Sequence, residues 1–74
     1  MTTEERIIKV IASHLEMEES EITEATTFED LGVDSLDAVE IMMELEDEFG
    51  VEVKAEEAGK SVKELADYLN AKLG

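Results

Sequence analysis

The residues most able to do chemistry sit in "DLGVDSLDAVE", residues 30–40, where one serine, Ser35, lies between Asp34 and Asp37. A nucleophilic serine needs a base and an oxyanion hole beside it. The chain offers one histidine, His14, and no G-x-S-x-G elbow, which argues against a hydrolase and against any catalytic site. His14 falls at the end of the first expected helix, where a partly exposed imidazolium is mildly favoured. A dedicated calcium loop is excluded by spacing, because the stretch does not follow D-x-[DN]-x-[DN]-G with a glutamate at position twelve. Loose Ca²⁺ or Mg²⁺ binding by Glu40, Asp47 and Glu48, or by loop acids, remains as charge relief, and no dedicated metal site is assigned. Two readings are left for Ser35. An ordinary structural serine is common at a helix start. A modified serine at the first helical position would hold a phosphate beside unpaired backbone N–H groups at the positive end of the dipole.

The elements that position Ser35 follow from caps and periodicity. Asp34 is the expected N-cap of a helix over residues 36–49, with Asp37 near its positive end and Gly50 as C-cap. "TTEERIIKVIASHL" reads as a first helix ending near residue 15: Thr2 and Glu5 form a capping box, and Ile7, Ile8, Ile11 and Leu15 recur at helical spacing. "SVKELADYLNAKLG" repeats this grammar with Ser61 and Glu64, a buried stripe of Val62, Leu65, Ala66, Leu69 and Leu73, and Gly74 at the close. "VEVKAE", residues 51–56, is the one candidate strand, and a lone strand has nothing to pair with. "AEEAGK", residues 55–60, fits one helical turn or more. The expected fold is all-α, one domain over residues 1–74, with three main helices, one short helix and a long first loop. That loop, residues 16–33, exceeds the length at which structureless connections become uncommon. Ile22, Phe28, Leu31 and Val33 can anchor it, "TTFEDL" can close a turn capped by Thr26 or Thr27, and Gly32 frees the backbone to swing into the next helix.

The central helix has two apolar stripes. At 100° per residue from Leu36, the residues Ala38, Ile41, Met42, Leu45 and Phe49 fall between about 140° and 240°, an ordinary core face. Leu36, Val39 and Met43 fall between about 300° and 360°, bordered by Glu40, Glu46 and Asp47, with Asp37 and Glu44 beyond. A short apolar strip ringed by acids suits docking of a basic partner, since charge steers the encounter and the apolar centre supplies desolvation energy. The alternative is that a neighbouring helix or the long loop covers the strip.

Composition narrows the partners. Seventy-four residues with 21 acids, 6 bases and a net charge of −15 make a small core under self-repulsion, with an expected stability of about 4 to 11 kcal/mol. All six bases (Arg6, Lys9, Lys54, Lys60, Lys63, Lys72) lie outside residues 15–53, which hold 15 of the acids. A purely anionic middle argues against nucleic acid and against anionic membrane, both of which require Lys and Arg. Basic protein surfaces or divalent cations fit, as does an acidic surface kept for solubility. There is no cysteine, hence no disulfide, no zinc–thiolate site and no thiol of the chain's own. No apolar run reaches a membrane span, and "MTTEERIIKV" lacks the features of a signal peptide, so a cytoplasmic monomer is the default expectation.

"DLGVDSLDAVEIMMELEDEFGV" resembles the acyl carrier protein signature, leucine-glycine-x-aspartate-serine-leucine followed by an acidic helix, and the likeness runs through the long loop to the closing "LADYL". The resemblance implies that Ser35 carries 4′-phosphopantetheine, transferred from coenzyme A by a holo-acyl-carrier-protein synthase that grips Asp34 and Leu36. A thiol on that arm would explain thioester chemistry in a chain without cysteine. It further implies a recognition helix using Leu36, Asp37, Val39, Glu40, Met43, Glu46 and Asp47, and an acyl-sheltering interior around Phe28, Leu45, Phe49, Ala58 and Tyr68. The "DSL" form looks like the acyl carriers, whereas peptidyl carriers more often have glycine and histidine around the serine, and the function expected is delivery of acyl intermediates to enzymes of type II fatty acid biosynthesis. A carrier of polyketide or aminoacyl cargo, or an unmodified acidic interaction module, is the alternative. The sequence departs from the pattern where Val53 and Lys54 replace an isoleucine–proline pair, where about two residues are missing between Lys60 and Ser61, and at Glu44, usually small or apolar. A shortened third helix and a smaller or more open acyl pocket are the expected results.

Overall fold

Thr2 starts the first helix as its spacing predicts: its hydroxyl accepts from Glu5 N at 3.1 Å, and its own N–H donates to Glu5 Oε1 at 3.0 Å. The computed structural model describes residues 2–73. They form α1 (Thr3–Leu15), α2 (Ser35–Phe49), α3 (Ala55–Ala58) and α4 (Val62–Leu73), with one 3-10 turn at Glu19–Glu21 in the first connection. Gly74, expected to close the last helix, lies outside the described residues. The architecture is the expected all-α one, with three main helices and a short fourth.

Helix α1 packs on both α2 and α4, and polar contacts fix the directions. Arg6 near the start of α1 reaches Glu48 near the end of α2, and His14 near the end of α1 reaches Glu40 and Glu44. Thr3 Oγ1 donates to Asn70 Oδ1 at 2.6 Å, which sets α4 antiparallel to α1 as well. Ile7, Ile11, Ile41, Leu45, Leu65 and Leu69 are fully buried between the three helices. Ile8 and Leu15, also placed on the buried stripe of α1 by spacing, lie half-buried against this core.

One expectation is corrected. Leu73 does not join the buried stripe of α4 and is 49% exposed, because the Thr3–Asn70 contact marks the start of α1 and the last turn of α4 runs past it. Residues 51–56 form no strand, as expected of a segment with nothing to pair with. Val53 is buried, Lys54 caps α3, and the one backbone bridge among the described residues joins Thr27 to Ser61 instead.

That bridge explains how the long loop is held. Phe28 N donates to Lys60 O, Val62 N to Thr26 O, and Lys63 N to Glu24 O, at 2.9 to 3.1 Å. These bonds stitch the loop to the head of α4 and satisfy backbone groups that would otherwise be stranded. Ile22 is buried, and Phe28, Leu31 and Val33 pack half-buried on the core, the anchors expected from their types. Helix α4 begins on a reciprocal cap: Ser61 Oγ accepts from Glu64 N at 3.1 Å while Glu64 Oε1 accepts from Ser61 N at 3.3 Å. Gly59 makes room for that cap. Its φ is +87°, and a Cβ there would stand 2.5 Å from the Cβ of Glu64.

Candidate functional site

The approach to Ser35 is built one turn at a time. Thr27 and Asp30 cap each other, with Asp30 N donating to Thr27 Oγ1 at 3.0 Å and Thr27 N to Asp30 Oδ2 at 3.1 Å. Val33 N then closes back on Phe28 O at 3.0 Å, with Gly32 at φ +70° between them. Asp34 takes extended backbone angles and caps α2, its Oδ1 accepting from Asp37 N at 2.8 Å and its carbonyl from Ala38 N at 2.9 Å. Ser35 is thereby the first residue of α2 and is exposed. The capping bonds pass it by, and the N–H groups of Ser35 and Leu36 have no acceptor within the helix.

The second stripe of α2 is uncovered. Leu36, Val39 and Met43 are 68%, 48% and 59% exposed, so neither a neighbouring helix nor the loop takes them up. Glu40 and Asp47 are exposed beside the stripe and Asp37 is half-buried. Glu46, grouped with them by spacing, is instead half-buried and holds the backbone: its Oε2 accepts from Val53 N at 2.8 Å, tying the chain after α2 back to the helix.

The five residues expected around an acyl interior come together in one core. Leu45, Phe49 and Ala58 are buried, and Phe28 and Tyr68 pack half-buried against them. Helix α3 is a single four-residue turn, consistent with the deletion read before Ser61. Lys54, standing where the pattern has proline, uses the N–H a proline would lack: it donates to Tyr68 Oη at 3.1 Å.

Other contacts were illegible in the sequence. Arg6 donates through Nε and Nη2 to Glu48 Oε2 at 3.2 and 3.1 Å, donates to Glu48 O at 3.0 Å, and lies 4.1 Å over the Phe49 ring. It therefore removes Glu48 from the acids grouped as a loose cation site. His14, isolated in the sequence, has three carboxylates around it: Glu44 Oε2 is 2.6 Å from Nδ1, and Glu40 Oε2 and Asp37 Oδ1 are 3.5 and 3.8 Å from Nε2. The departure from pattern at Glu44 was the one signal that could have led to this cluster.

The geometry so far is an exposed hydroxyl at the head of a 15-residue helix, adjoining an apolar stripe in an acidic surround. A family model described as "Phosphopantetheine attachment site" matches residues 5–69, from α1 through most of α4. The chain belongs to that family. It is a phosphopantetheine-carrying carrier protein of the acyl or peptidyl kind, and such domains are sites of covalent 4′-phosphopantetheine attachment. The residues present fit the group. A helix N-terminus with open N–H groups favours a phosphodiester, and Ser35 is exposed at that terminus. None of the carrier's described helices is long and apolar enough to cross a membrane.

Proposed function

We propose that Ser35 is the attachment residue and that this carrier delivers acyl intermediates between enzymes of type II fatty acid biosynthesis, itself contributing no catalytic group. When bound, 4′-phosphopantetheine supplies the thiol on which cargo is held as a thioester. The chain's own residues do three things. Asp34 fixes the first turn of α2 so that the Ser35 oxygen stays accessible, and the base that activates it belongs to the partner synthase, since His14 is engaged by Glu44. Leu36, Val39 and Met43 offer the apolar centre of a docking face, with Asp37, Glu40 and Asp47 as its anionic surround for basic enzyme surfaces. Phe28, Leu45, Phe49, Ala58 and Tyr68 shelter the cargo's apolar end.

The observation that carries this reading is the uncovered stripe beginning one residue after an exposed serine. A solubility surface needs acids, not three large exposed apolar groups on one helix face. A cytoplasmic monomer that folds as one domain is the setting proposed. Incubation with coenzyme A and a promiscuous phosphopantetheinyl transferase is expected to add the mass of one arm to the wild-type chain and nothing to Ser35→Ala. An unmodified wild-type chain would return it to the class of acidic interaction modules.

The one-turn α3 and Lys54 favour a second, narrower reading, a specialised carrier with a more open interior. Acyl loads of graded length should then show weaker sequestration of long chains by retention on a reversed-phase column. Equal shelter at all lengths removes that reading and leaves the first intact.

A further inference from the structure

His14 presents an unresolved polar contact. A carboxylate can only accept, so at 2.6 Å from Glu44 Oε2 the Nδ1 atom must be the donor. A neutral ring then turns the Nε2 lone pair toward Glu40 Oε2 at 3.5 Å and Asp37 Oδ1 at 3.8 Å, three electron-rich atoms facing one another. A metal ion among them, or a water donating to them, relieves this.

The two separations from Nε2, 3.5 and 3.8 Å, are near those of a metal shell. Two ligands bound at about 2.0 to 2.2 Å to one tetrahedral ion stand about 3.4 Å apart, and the Nε2, Asp37 and Glu40 donor atoms all lie within 4.8 Å of one another. The arrangement also has the outer partner that metal-bound histidines use, a carboxylate holding the other ring nitrogen, which fixes the tautomer and raises the basicity of the ligating one. Glu44 is that partner. Asp37 and Glu40 are three residues apart on one face of α2, and His14 comes from the end of α1, so the ligands converge from two packed helices and not from one mobile loop.

We propose that His14, Asp37 and Glu40 bind a first-row transition-metal dication, with Glu44 as the positioning residue and water completing the coordination. One imidazole nitrogen with two carboxylates selects for zinc-class ions over calcium or magnesium, which take all-oxygen shells. The ion would pin the end of α1 to the first half of α2, beside Met43 of the exposed stripe.

The test uses the full chain with Zn²⁺ and Co²⁺ as probes, in excess Mg²⁺ to occupy diffuse acidic sites. Wild type should bind one equivalent with a rise in melting temperature, and Co²⁺ should give a d–d absorption band with a paramagnetically shifted imidazole resonance. His14→Gln and Asp37→Asn should abolish the equivalent that survives Mg²⁺. Glu44→Ala should weaken it about 10- to 100-fold. Circular dichroism of each variant without metal checks that the helices persist. Equal Zn²⁺ binding by wild type and His14→Gln, or full displacement by Mg²⁺, would falsify the site. So would a wild-type chain that binds no Zn²⁺.

Discussion

Met42 and Met43 are neighbours with the same side chain, and they live in different solvents. Met42 is 5% exposed among Ile41, Leu45 and Phe49, while Met43 is 59% exposed in line with Leu36 and Val39. One step of about 100° along α2 separates a face that holds the fold together from a face that the fold does not use. The difference teaches how a small chain divides its apolar residues. Burial alone makes the first face stabilising, whereas three large apolar groups left in water at the second need a reason outside the chain.

The same substitution on the two faces gives the sharpest contrast. Met42→Ala should cost about 2 to 5 kcal/mol in urea denaturation, a large share of a stability expected at about 4 to 11 kcal/mol. Met43→Ala should stay within about 0.5 kcal/mol of wild type yet weaken binding to a carrier synthase by about tenfold or more, the loss expected at the centre of a docking face. Equal losses of stability for both would show the second face to be core. Removing the cap that aims both faces comes next: Asp34→Ala should cost about 0.5 to 2 kcal/mol and slow arm transfer, as the first turn frays around Ser35. Unchanged transfer with lowered stability would separate helix start from serine presentation.

The smallest effect lies away from either face, at the start of α1. The backbone N–H and then the hydroxyl of Thr2 hold the Glu5 carboxyl below the ordinary glutamate value. A depressed carboxylate adds stability above its unfolded pKa, and that contribution disappears as pH falls through the folded value. Glu5→Gln keeps a side-chain acceptor for the capping box, so it should be slightly less stable than wild type at pH 7 and indistinguishable from it near pH 2, by denaturation at both. A gap that stays the same at both pH values would mean that this carboxylate's charge plays no part.

The helices were legible because their signals are local. Thr2 with Glu5, Ser61 with Glu64, and Asp34 with Asp37 each lie three residues apart, and the two stripes of α2 follow from one helical period. The loop's route was not legible, because backbone bonds such as Phe28 N to Lys60 O leave no mark in side-chain types. Exposure of Leu73 depends on where α1 begins, and the tie from Glu46 to Val53 on how the chain turns after Gly50. The site divides in the same way: the Ser35 turn is contiguous sequence, whereas His14 meets Glu44 across 30 positions, visible only as a misplaced acid.

The stitch between residues 24–28 and 60–63 has a mechanical consequence. Phe28, one wall of the proposed shelter, sits on a panel latched to the head of α4 by its own amide, by Val62 N and by Lys63 N. Prising the interior apart from that side means unfastening all three latches at once, so the carrier should swing between shut and ajar as a unit, with amide-exchange rates at Phe28, Val62 and Lys63 rising together when a bulkier guest is loaded.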